Sequence, residues 1–259
     1  MDLQLTGKLA LVTGSTAGIG LAIAQALARE GARVIVNGRT EARVAEAART
    51  IDGAVETLAA DLSDPAAAER VIERFPAVDI LVNNLGVYGP KPFEEITDDD
   101  WRAIIETNFM SGVRLCRHYL PAMKRSGWGR ILFISSESAV QIPAEMIHYG
   151  VTKTMQIAFA RGLAETTAGT AVTINSVLAG PTLSEGVGGF MQSLADSRGV
   201  GIDTIEREFF QGVRPSSLLK RFETPEETAA MVAFLASPLA SGTNGAAVRA
   251  EGGVVRSIL

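Results

Sequence analysis

The sequence predicts an α/β fold in which helices cover both faces of a doubly wound, seven-stranded parallel sheet. Short, continuously apolar runs, beginning with Leu9–Val12, are typical of strands that are buried on both faces. These runs alternate with alanine- and leucine-rich segments of helical length, as in proteins built from βαβ units. The chain has 259 residues and is 47% hydrophobic, so we expect one domain across residues 1–259.

The composition argues against several classes of protein. A net charge of -5, without any basic stripe, argues against a nucleic-acid partner. The single cysteine rules out an intrachain disulfide, and with only two histidines we expect no metal site of the His/Cys type. The N-terminus lacks a secretion signal, and no apolar run approaches the roughly 20 residues that span a membrane. We therefore expect a cytoplasmic protein without a membrane partner.

A glycine-rich turn follows the first strand and precedes an alanine-rich helix. Its sequence is Thr13-Gly14-Ser15-Thr16-Ala17-Gly18-Ile19-Gly20. The free N–H groups and the dipole of a helix N-terminus attract anions, and glycines let a pyrophosphate approach the backbone. The glycine spacing differs from the dinucleotide fingerprint Gly-x-Gly-x-x-Gly, but the position after the first strand favours a cofactor phosphate site. The alternative is a tight turn that uses glycine only for its own conformation.

The turn after the second strand contains Gly38 and Arg39. In dinucleotide-binding folds an acidic residue near this turn accepts a hydrogen bond from the ribose 2′-hydroxyl of NAD, whereas an arginine accommodates the 2′-phosphate of NADP. Arg39 therefore favours NADP(H), and NAD(H) is the alternative. Glu41 lies nearby and weakens the positive field, and Arg39 is otherwise an ordinary exposed loop arginine.

Two further loops fall at the same carboxyl edge of the predicted sheet. The third strand ends at Asp61 and Leu62, and the fourth, at 79–82, runs into Asn83-Asn84-Leu85-Gly86. Open α/β sheets bind ligands at this edge. We interpret Asn84 as structural, because its amide can satisfy backbone groups of adjacent loops.

A capping box at residues 97–100 begins a long helix that we expect to run toward Ser126. Asn108 lies inside this helix, although asparagine is a poor helix former. A kink, a buried hydrogen bond or a catalytic relay would each explain its presence.

Tyr149 and Lys153 predict a proton-transfer site, because two residues four apart on a helix share one face. A nearby ammonium favours the phenolate and lowers the pKa of the phenol toward a useful range. Ser136 ends the fifth strand, where its hydroxyl can bond the same substrate oxygen. The alternative is an aromatic ring in the core beside a solvated lysine. His148 points to another face of the helix, and we interpret it as structural or substrate-lining.

Helical periodicity fails after the sixth strand, at 171–177, and a glycine-rich loop is expected over 180–189. Long irregular insertions often act as lids, so we expect a substrate lid within about 182–221. The alternative is a surface excursion packed on its own aromatic side chains. A capping box at 224–227 then begins another helix, and a last strand is expected at 246–250.

Together these motifs resemble those of the short-chain dehydrogenases/reductases, in their single-domain branch of about this length. The glycine turn resembles the family's cofactor motif, Asn83-Asn84-x-Gly86 resembles its sheet-stabilising motif, and its catalytic tetrad is matched by Asn108, Ser136, Tyr149 and Lys153. The resemblance implies a Rossmann-type three-layer sandwich. It also implies that Tyr149 is the general acid/base and that Ser136 orients the carbonyl. Lys153 would lower the pKa of the phenol and bind the nicotinamide ribose, and Asn108 would hold a water in a proton relay.

The resemblance further implies which residues contact the cofactor. Asp61 and Leu62 are similar to the pair that lines the adenine pocket. The implied contacts are Gly14, Ser15, Thr16, Gly18, Ile19, Gly20, Arg39, Asp61, Leu62, Asn84, Gly86, Tyr149, Lys153, Gly180 and Thr182. The sequence departs from the family pattern at Leu85, Ala179 and Glu137. Glu137 puts a charge beside Ser136 and faces either solvent or a polar substrate.

The function implied by the resemblance is hydride transfer between NADP(H) and a carbonyl or secondary alcohol substrate. We expect a 3-oxoacyl thioester reductase or another ketone reductase. The alternatives are an NAD-preferring alcohol dehydrogenase of the same family and a non-enzymatic dinucleotide-binding sensor. Family relatives are commonly homotetramers, so a tetramer or dimer is expected. An apolar pocket is suggested by residues that would equally serve as core, namely Leu85, Val87, Met146, Phe190 and Phe210.

Overall fold

The computed structural model describes residues 1–258, and its strands form one sheet of seven parallel strands. The strands are β1 Leu9–Val12, β2 Arg33–Gly38, β3 Val55–Ala59, β4 Ile80–Asn83, β5 Gly129–Ser136, β6 Val172–Ala179 and β7 Ala247–Ala250. Their order across the sheet is β3-β2-β1-β4-β5-β6-β7. The predicted α/β class with a doubly wound parallel sheet is therefore confirmed.

Helices connect the strands and cover both faces of the sheet. They are α1 Gly18–Arg29, α2 Glu41–Arg49, α3 Pro65–Arg74, α4 Asp98–Ile105, α5 Ser111–Ser126, α6 Ile147–Glu165, α7 Glu185–Arg198, α8 Ile202–Glu208 and α9 Pro225–Ala236. Thr97 and Thr224 begin α4 and α9 with the predicted capping boxes. In each box the threonine and the acidic side chain three residues later satisfy each other's free backbone N–H groups.

Two apolar clusters lie on opposite faces of the sheet, and alternate residues of each strand point into one or the other. In β1, Ala10 and Val12 belong to the cluster beneath α1 and α9, whereas Leu11 belongs to the cluster beneath α5 and α6. Both faces of the central strands are buried, so most of their positions are apolar. This explains why the strands read as continuous apolar runs in the sequence.

The long helix expected between residues 97 and 126 is interrupted at Asn108. A π-helical turn, Glu106–Met110, separates α4 from α5. Such a turn widens the helix by one residue and re-aims the side chains within it, and it frequently occurs at functional sites. Asn108 is 2% exposed, so the irregularity expected from its sequence corresponds to a buried polar side chain in a distorted turn.

The glycine-rich loop predicted over residues 180–189 is only partly a loop, because α7 begins at Glu185 and includes three glycines. Ser184 caps this helix by accepting a hydrogen bond from the backbone N–H of Val187, and Gly199 ends it with a φ of 63°. Packing compensates for the poor helix propensity of glycine. The segment between β6 and α9, residues 180–224, is called the insertion below. It has a small apolar cluster of its own, formed by Met191, Ala195, Ile205, Phe210 and Phe222.

Within residues 1–258, no helix is long and apolar enough to cross a lipid bilayer. The same part of the chain contains no group of three or more His, Cys, Asp or Glu side chains that could hold a metal ion.

Gly180 lies so close to β7 that a Cβ at this position would be 2.7 Å from Cα of Glu251. A backbone atom cannot withdraw without disturbing the pairing of β6 with β7. We expect Gly180→Ala to lower the free energy of unfolding by about 1–3 kcal/mol. Gly189→Ala is the matched control, because Gly189 lies inside α7 with open space around it. Alanine there should raise the free energy of unfolding by up to about 1 kcal/mol. Urea unfolding measures both, and equal shifts would contradict this account.

Candidate active site

The candidate site lies at the carboxyl edge of the sheet, beside the point where the strand order reverses. The chain winds outward from β1 to β3 in one direction and from β4 to β7 in the other. The loops after β1 and β4 therefore diverge and leave a crevice, which is where open α/β sheets bind ligands.

The glycine turn after β1 requires its glycines. Gly14 and Gly18 have φ angles of 61° and 54°, in the left-handed region that favours glycine. A Cβ on Gly20 would lie 2.4 Å from both Nδ2 of Asn84 and the carbonyl oxygen of Gly14. The backbone of this turn therefore stays bare and open to a ligand at the N-terminus of α1.

Ser15 was expected to contact the cofactor, but its side chain faces the protein interior. It is fully buried, its hydroxyl donates to the carbonyl of Val12 (2.7 Å), and it accepts from the backbone N–H of Asn37 (2.9 Å). Its backbone N–H also donates to the carbonyl of Asn37 (2.8 Å), so neither its hydroxyl nor its N–H is free for a ligand. Thr16 lies at the outer side of the turn, where its methyl group packs against Gly38.

Asn37 supports the glycine turn, a role that was not predicted. Its side-chain oxygen accepts from the N–H of Gly14 (3.1 Å), and its amide donates to the carbonyls of Leu58 (3.2 Å) and Ala60 (3.1 Å). The side chain thereby joins the ends of three strands. The sequence signal for this role of Asn37 is a polar residue directly after the apolar run of β2.

Asn84 joins the loops after β1 and β4, as its structural interpretation expected. Its amide donates to the carbonyls of Thr13 (2.9 Å) and Gly14 (3.0 Å). The hydroxyl of Thr13 in turn accepts from the backbone N–H groups of Asn84 and Leu85, both at 2.9 Å. These bonds fix the two sides of the crevice relative to each other.

The side chain of Arg39 is exposed, and it makes no hydrogen bond or ion pair with residues 1–258. Nearby, the carboxylate of Asp61 accepts from the backbone N–H (3.1 Å) and hydroxyl (2.7 Å) of Ser63. Leu62 is 1% exposed, and its side chain packs into the core. Only the backbone of Leu62 can therefore border an adenine pocket.

Ser136, Tyr149 and Lys153 come together where β5 ends beside α6. The hydroxyl of Ser136 accepts from the backbone N–H of Ser138 (3.1 Å) and lies close enough to Tyr149 to favour its phenolate. The ammonium of Lys153 lies 5.6 Å from the centre of the Tyr149 ring and donates to the carbonyl of Ile134 (2.7 Å). The predicted pairing of a phenol, a hydroxyl and an ammonium is thus present in the structure.

Burial dominates the protonation of this group. It raises the pKa of Tyr149 to about 12, although the neighbouring hydroxyl of Ser136 opposes the rise. Burial also lowers the pKa of Lys153 to about 8. The expectation that Lys153 brings the pKa of the phenol toward neutrality is not met in the protein alone, because removal of water from the phenol outweighs the nearby charges.

Asn108 connects the loop after β4 to α6. Its side-chain oxygen accepts from the N–H of Val87 (2.7 Å), and its amide donates to the carbonyl of Val87 (2.9 Å) and the hydroxyl of Thr152 (3.1 Å). Its backbone carbonyl accepts from the amide of Gln156 (2.6 Å). Gly86 lies between Asn108 and Lys153, since a Cβ there would be 3.4 Å from the ammonium and 3.6 Å from the amide oxygen.

The stretch after β6 meets the glycine turn through Ser184, which the sequence analysis did not single out. A Cβ on Gly18 would lie 3.2 Å from Cβ of Ser184. The hydroxyl of Thr182, an expected contact, donates instead to the carbonyl of Gly180 (2.9 Å). The sequence signal for Ser184 is its position before a glutamate, a pattern typical of a helix N-terminus.

Tyr88 also borders the site, and it too was missed. Its ring packs edge-on against Tyr149, with the ring centres 6.0 Å apart, and it is 57% exposed. Two residues suggested for an apolar pocket have other positions. Phe210 is buried in the small core of the insertion, and Phe190 is 64% exposed.

His148 takes no part in the Ser136–Tyr149–Lys153 group. Its ring packs edge-on against Trp101, with the centres 6.1 Å apart. Burial lowers its pKa, and the charge of Asp100 opposes this. A structural role therefore fits the position of this residue.

Glu137 is buried rather than solvent-facing. It is 3% exposed, and its Oε1 accepts from Nε of Arg214 (2.8 Å), which follows the π-helical turn Phe209–Val213 of the insertion. The insertion is thus attached by an ion pair to the residue next to Ser136.

Comparisons with known proteins match this chain to dehydrogenases, reductases and other oxidoreductases. A family model described as short chain dehydrogenase matches residues 8–193. The uncharacterized oxidoreductase YvaG of Bacillus subtilis is 47% identical over 100% of both chains. The D-beta-hydroxybutyrate dehydrogenase of Cupriavidus necator is 37% identical over 97% of this chain and 99% of its own length. The crystal structure of L-sorbose reductase from Gluconobacter frateurii, complexed with NADPH and L-sorbose, is 32% identical, has a TM-score of 0.94 and covers 100% of both chains.

Proposed function

Because the chain belongs to the short chain dehydrogenase family, we propose that it is an NADP(H)-dependent oxidoreductase that interconverts a carbonyl compound and a secondary alcohol. The observation that carries this proposal is the grouping of the Ser136 hydroxyl, the Tyr149 phenol and the ammonium of Lys153 at one point. This group lies at the carboxyl edge of the sheet, near the bare glycine turn. A donor pair and a positive charge at one point suit the oxygen of a carbonyl substrate.

The residues at the edge of the sheet fit a dinucleotide cofactor. Gly14, Gly18 and Gly20 leave the backbone bare at the start of α1, where a pyrophosphate can be held by N–H groups. Among the residues that the structure describes, the exposed guanidinium of Arg39 has no partner, which suits the 2′-phosphate of NADP. The NADPH in the similar L-sorbose reductase structure supports the same choice.

The protein's own residues supply the proton and the orientation. The cofactor, when bound, supplies the hydride. Tyr149 is a neutral phenol at physiological pH, since burial raises its pKa to about 12, and it therefore carries the proton that the carbonyl oxygen receives. Ser136 holds the same oxygen through its hydroxyl. Lys153 carries its charge below a pKa of about 8 and stabilises the phenolate that the transfer leaves behind.

Asn108 acts in this proposal mainly by positioning. Its amide holds the loop at Val87 against α6, on which both Tyr149 and Lys153 lie. The water relay implied by the family resemblance remains a prediction for this residue.

The two rival functions fit these residues less well. A non-enzymatic dinucleotide sensor would not need the donor pair Ser136–Tyr149 or the buried ammonium of Lys153. An NAD-preferring alcohol dehydrogenase would gain nothing from the guanidinium of Arg39 beside the ribose site.

We also infer that the chain forms a homo-oligomer through α6. A shallow apolar groove runs along this helix and is lined by Phe109, Met155, Ala158, Phe159, Gly162, Leu163 and Thr166. Gly162 has open space around its Cβ position, so another helix can approach closely. A second copy of the same helix matches this surface, because two-fold dimers pair identical apolar patches.

Tyr149→Phe removes the proposed proton donor and keeps the aromatic ring. We expect NADPH-dependent reduction of the best ketone found for the parent protein to fall about 10²- to 10⁴-fold, with NADPH affinity retained. Tyr119→Phe is the matched control. It makes the same chemical change in a fully buried tyrosine that donates to Phe75 (2.8 Å), and turnover should stay near that of the parent. Parent-like turnover by Tyr149→Phe would contradict the proposed mechanism.

Arg39→Gln removes the proposed partner of the 2′-phosphate. A charge-assisted hydrogen bond contributes about 1.5–3 kcal/mol, so NADPH should bind about 10- to 100-fold more weakly. NADH affinity should change little. Cofactor fluorescence titration measures both, with Arg43→Gln as control, since that arginine pairs with Glu185 (3.5 Å). A parent protein that binds NADH more tightly than NADPH would overturn the assignment of Arg39.

A further inference from the structure

Glu137 and Arg214 form a buried ion pair that the proposed proton transfer does not use. Glu137 directly follows Ser136 in the chain. Its partner Arg214 lies 77 residues later. Both residues are more than nine-tenths buried. Oε1 of Glu137 accepts from Arg214, but its Oε2 is buried without a hydrogen-bond partner among residues 1–258. An unpartnered buried carboxylate oxygen is costly, so a ligand that supplies a hydrogen-bond donor to it would be bound favourably.

The donors of Arg214 are largely occupied. Its Nη1 donates to the carbonyl of Val213 (3.0 Å) and lies 3.4 Å from Oε1 of Glu145, while its Nε holds Glu137. One guanidinium therefore faces two carboxylates, and the charge of Glu251 also reaches Glu137. The local charge is negative, which disfavours a substrate group that is itself an anion.

The pair lies within electrostatic reach of the reacting phenol. The charge of Glu137 raises the pKa of Tyr149, and the charge of Arg214 lowers it. Glu137 also directly follows Ser136 in the chain, and it contacts the insertion through Arg214. A substrate whose carbonyl oxygen contacts Ser136 and Tyr149 would have its adjoining atoms close to this carboxylate.

Building on the proposed carbonyl chemistry, we propose that the substrate is a neutral hydroxylated carbonyl compound, with a hydroxyl next to the carbonyl that donates to Oε2 of Glu137. A carboxylate oxygen can only accept hydrogen bonds, so its partner has to be a donor. The bond is charge-assisted and shielded from water, which makes it strong. A plain acyl chain would leave the carboxylate unpaired, and a site of this kind rejects analogues that lack the hydroxyl.

Hydroxyacetone and 2-butanone test the proposal, because they differ by a hydroxyl in place of a methyl group. With saturating NADPH, the parent protein should show a kcat/KM for hydroxyacetone at least about 10-fold above that for 2-butanone. Glu137→Gln removes the charge but keeps the shape. It should lower kcat/KM for hydroxyacetone about 10-fold or more and change that for 2-butanone by less than about 3-fold.

Glu145→Gln is the matched control, since Glu145 faces the same arginine from an exposed position. It should leave both values within about 2-fold of the parent. If Glu137→Gln does not fold, the double variant Glu137→Gln/Arg214→Gln removes both charges together and should show the same selective loss. Circular dichroism and NADPH titration establish that each variant is folded.

A parent protein that reduces both ketones equally well would overturn the hydroxyl proposal and leave the proposed function intact. An equal loss on both ketones in Glu137→Gln would also overturn it, because the carboxylate would then act on Tyr149 or on the structure. A clear preference for aminoacetone over hydroxyacetone would also overturn the hydroxyl proposal, because the carboxylate would then select a charged amine. A parent protein that binds NADPH but reduces none of these carbonyl compounds would contradict the proposed function and the substrate inference together.

Discussion

The hydrogen bonds from the Asn84 amide to the carbonyls of Thr13 and Gly14 hold together the two halves of the sheet where a ligand would bind. Parallel strands alone leave a crevice at this reversal of strand order. The amide bridges it, and Asn37 braces the glycine turn from the opposite side. The turn, the loop after β4 and the end of β5 are therefore positioned before any ligand arrives. Such preorganisation lowers the cost of binding and of aligning a reaction.

Burial gives the Ser136–Tyr149–Lys153 group its chemistry. Desolvation keeps the phenol neutral by raising its pKa to about 12, and it weakens the hold of the lysine on its proton by lowering that pKa to about 8. The same burial requires compensation elsewhere. Arg214 neutralises Glu137 beside Ser136, and its position after the π-helical turn makes the insertion part of the electrostatic environment of the site.

The regular parts of the fold were predictable because their causes are local. Apolar strands, capping boxes and the glycine turn each follow from neighbouring residues, and Asn108 stood out as a poor helix former. The contacts that define the pocket are long-range. Nothing near Glu137 in the sequence points to Arg214, 77 residues later, and Ser184 meets Gly18 only through the fold. The helix at α7 was missed because its cap and its packing outweigh the low helix propensity of its glycines.

The pH dependence of kcat/KM in both directions tests most directly whether Tyr149 and Lys153 transfer the proton as described. Reduction needs the neutral phenol, present below a pKa of about 12, and the ammonium, present below a pKa of about 8, so it should fall as pH rises through about 8. Oxidation needs the phenolate beside the ammonium. It should rise with pH up to about 8 and then level off, because loss of the ammonium above about pH 8 offsets the growing fraction of phenolate. Reduction that is constant from pH 6 to about 10, or that rises with pH, would contradict the account.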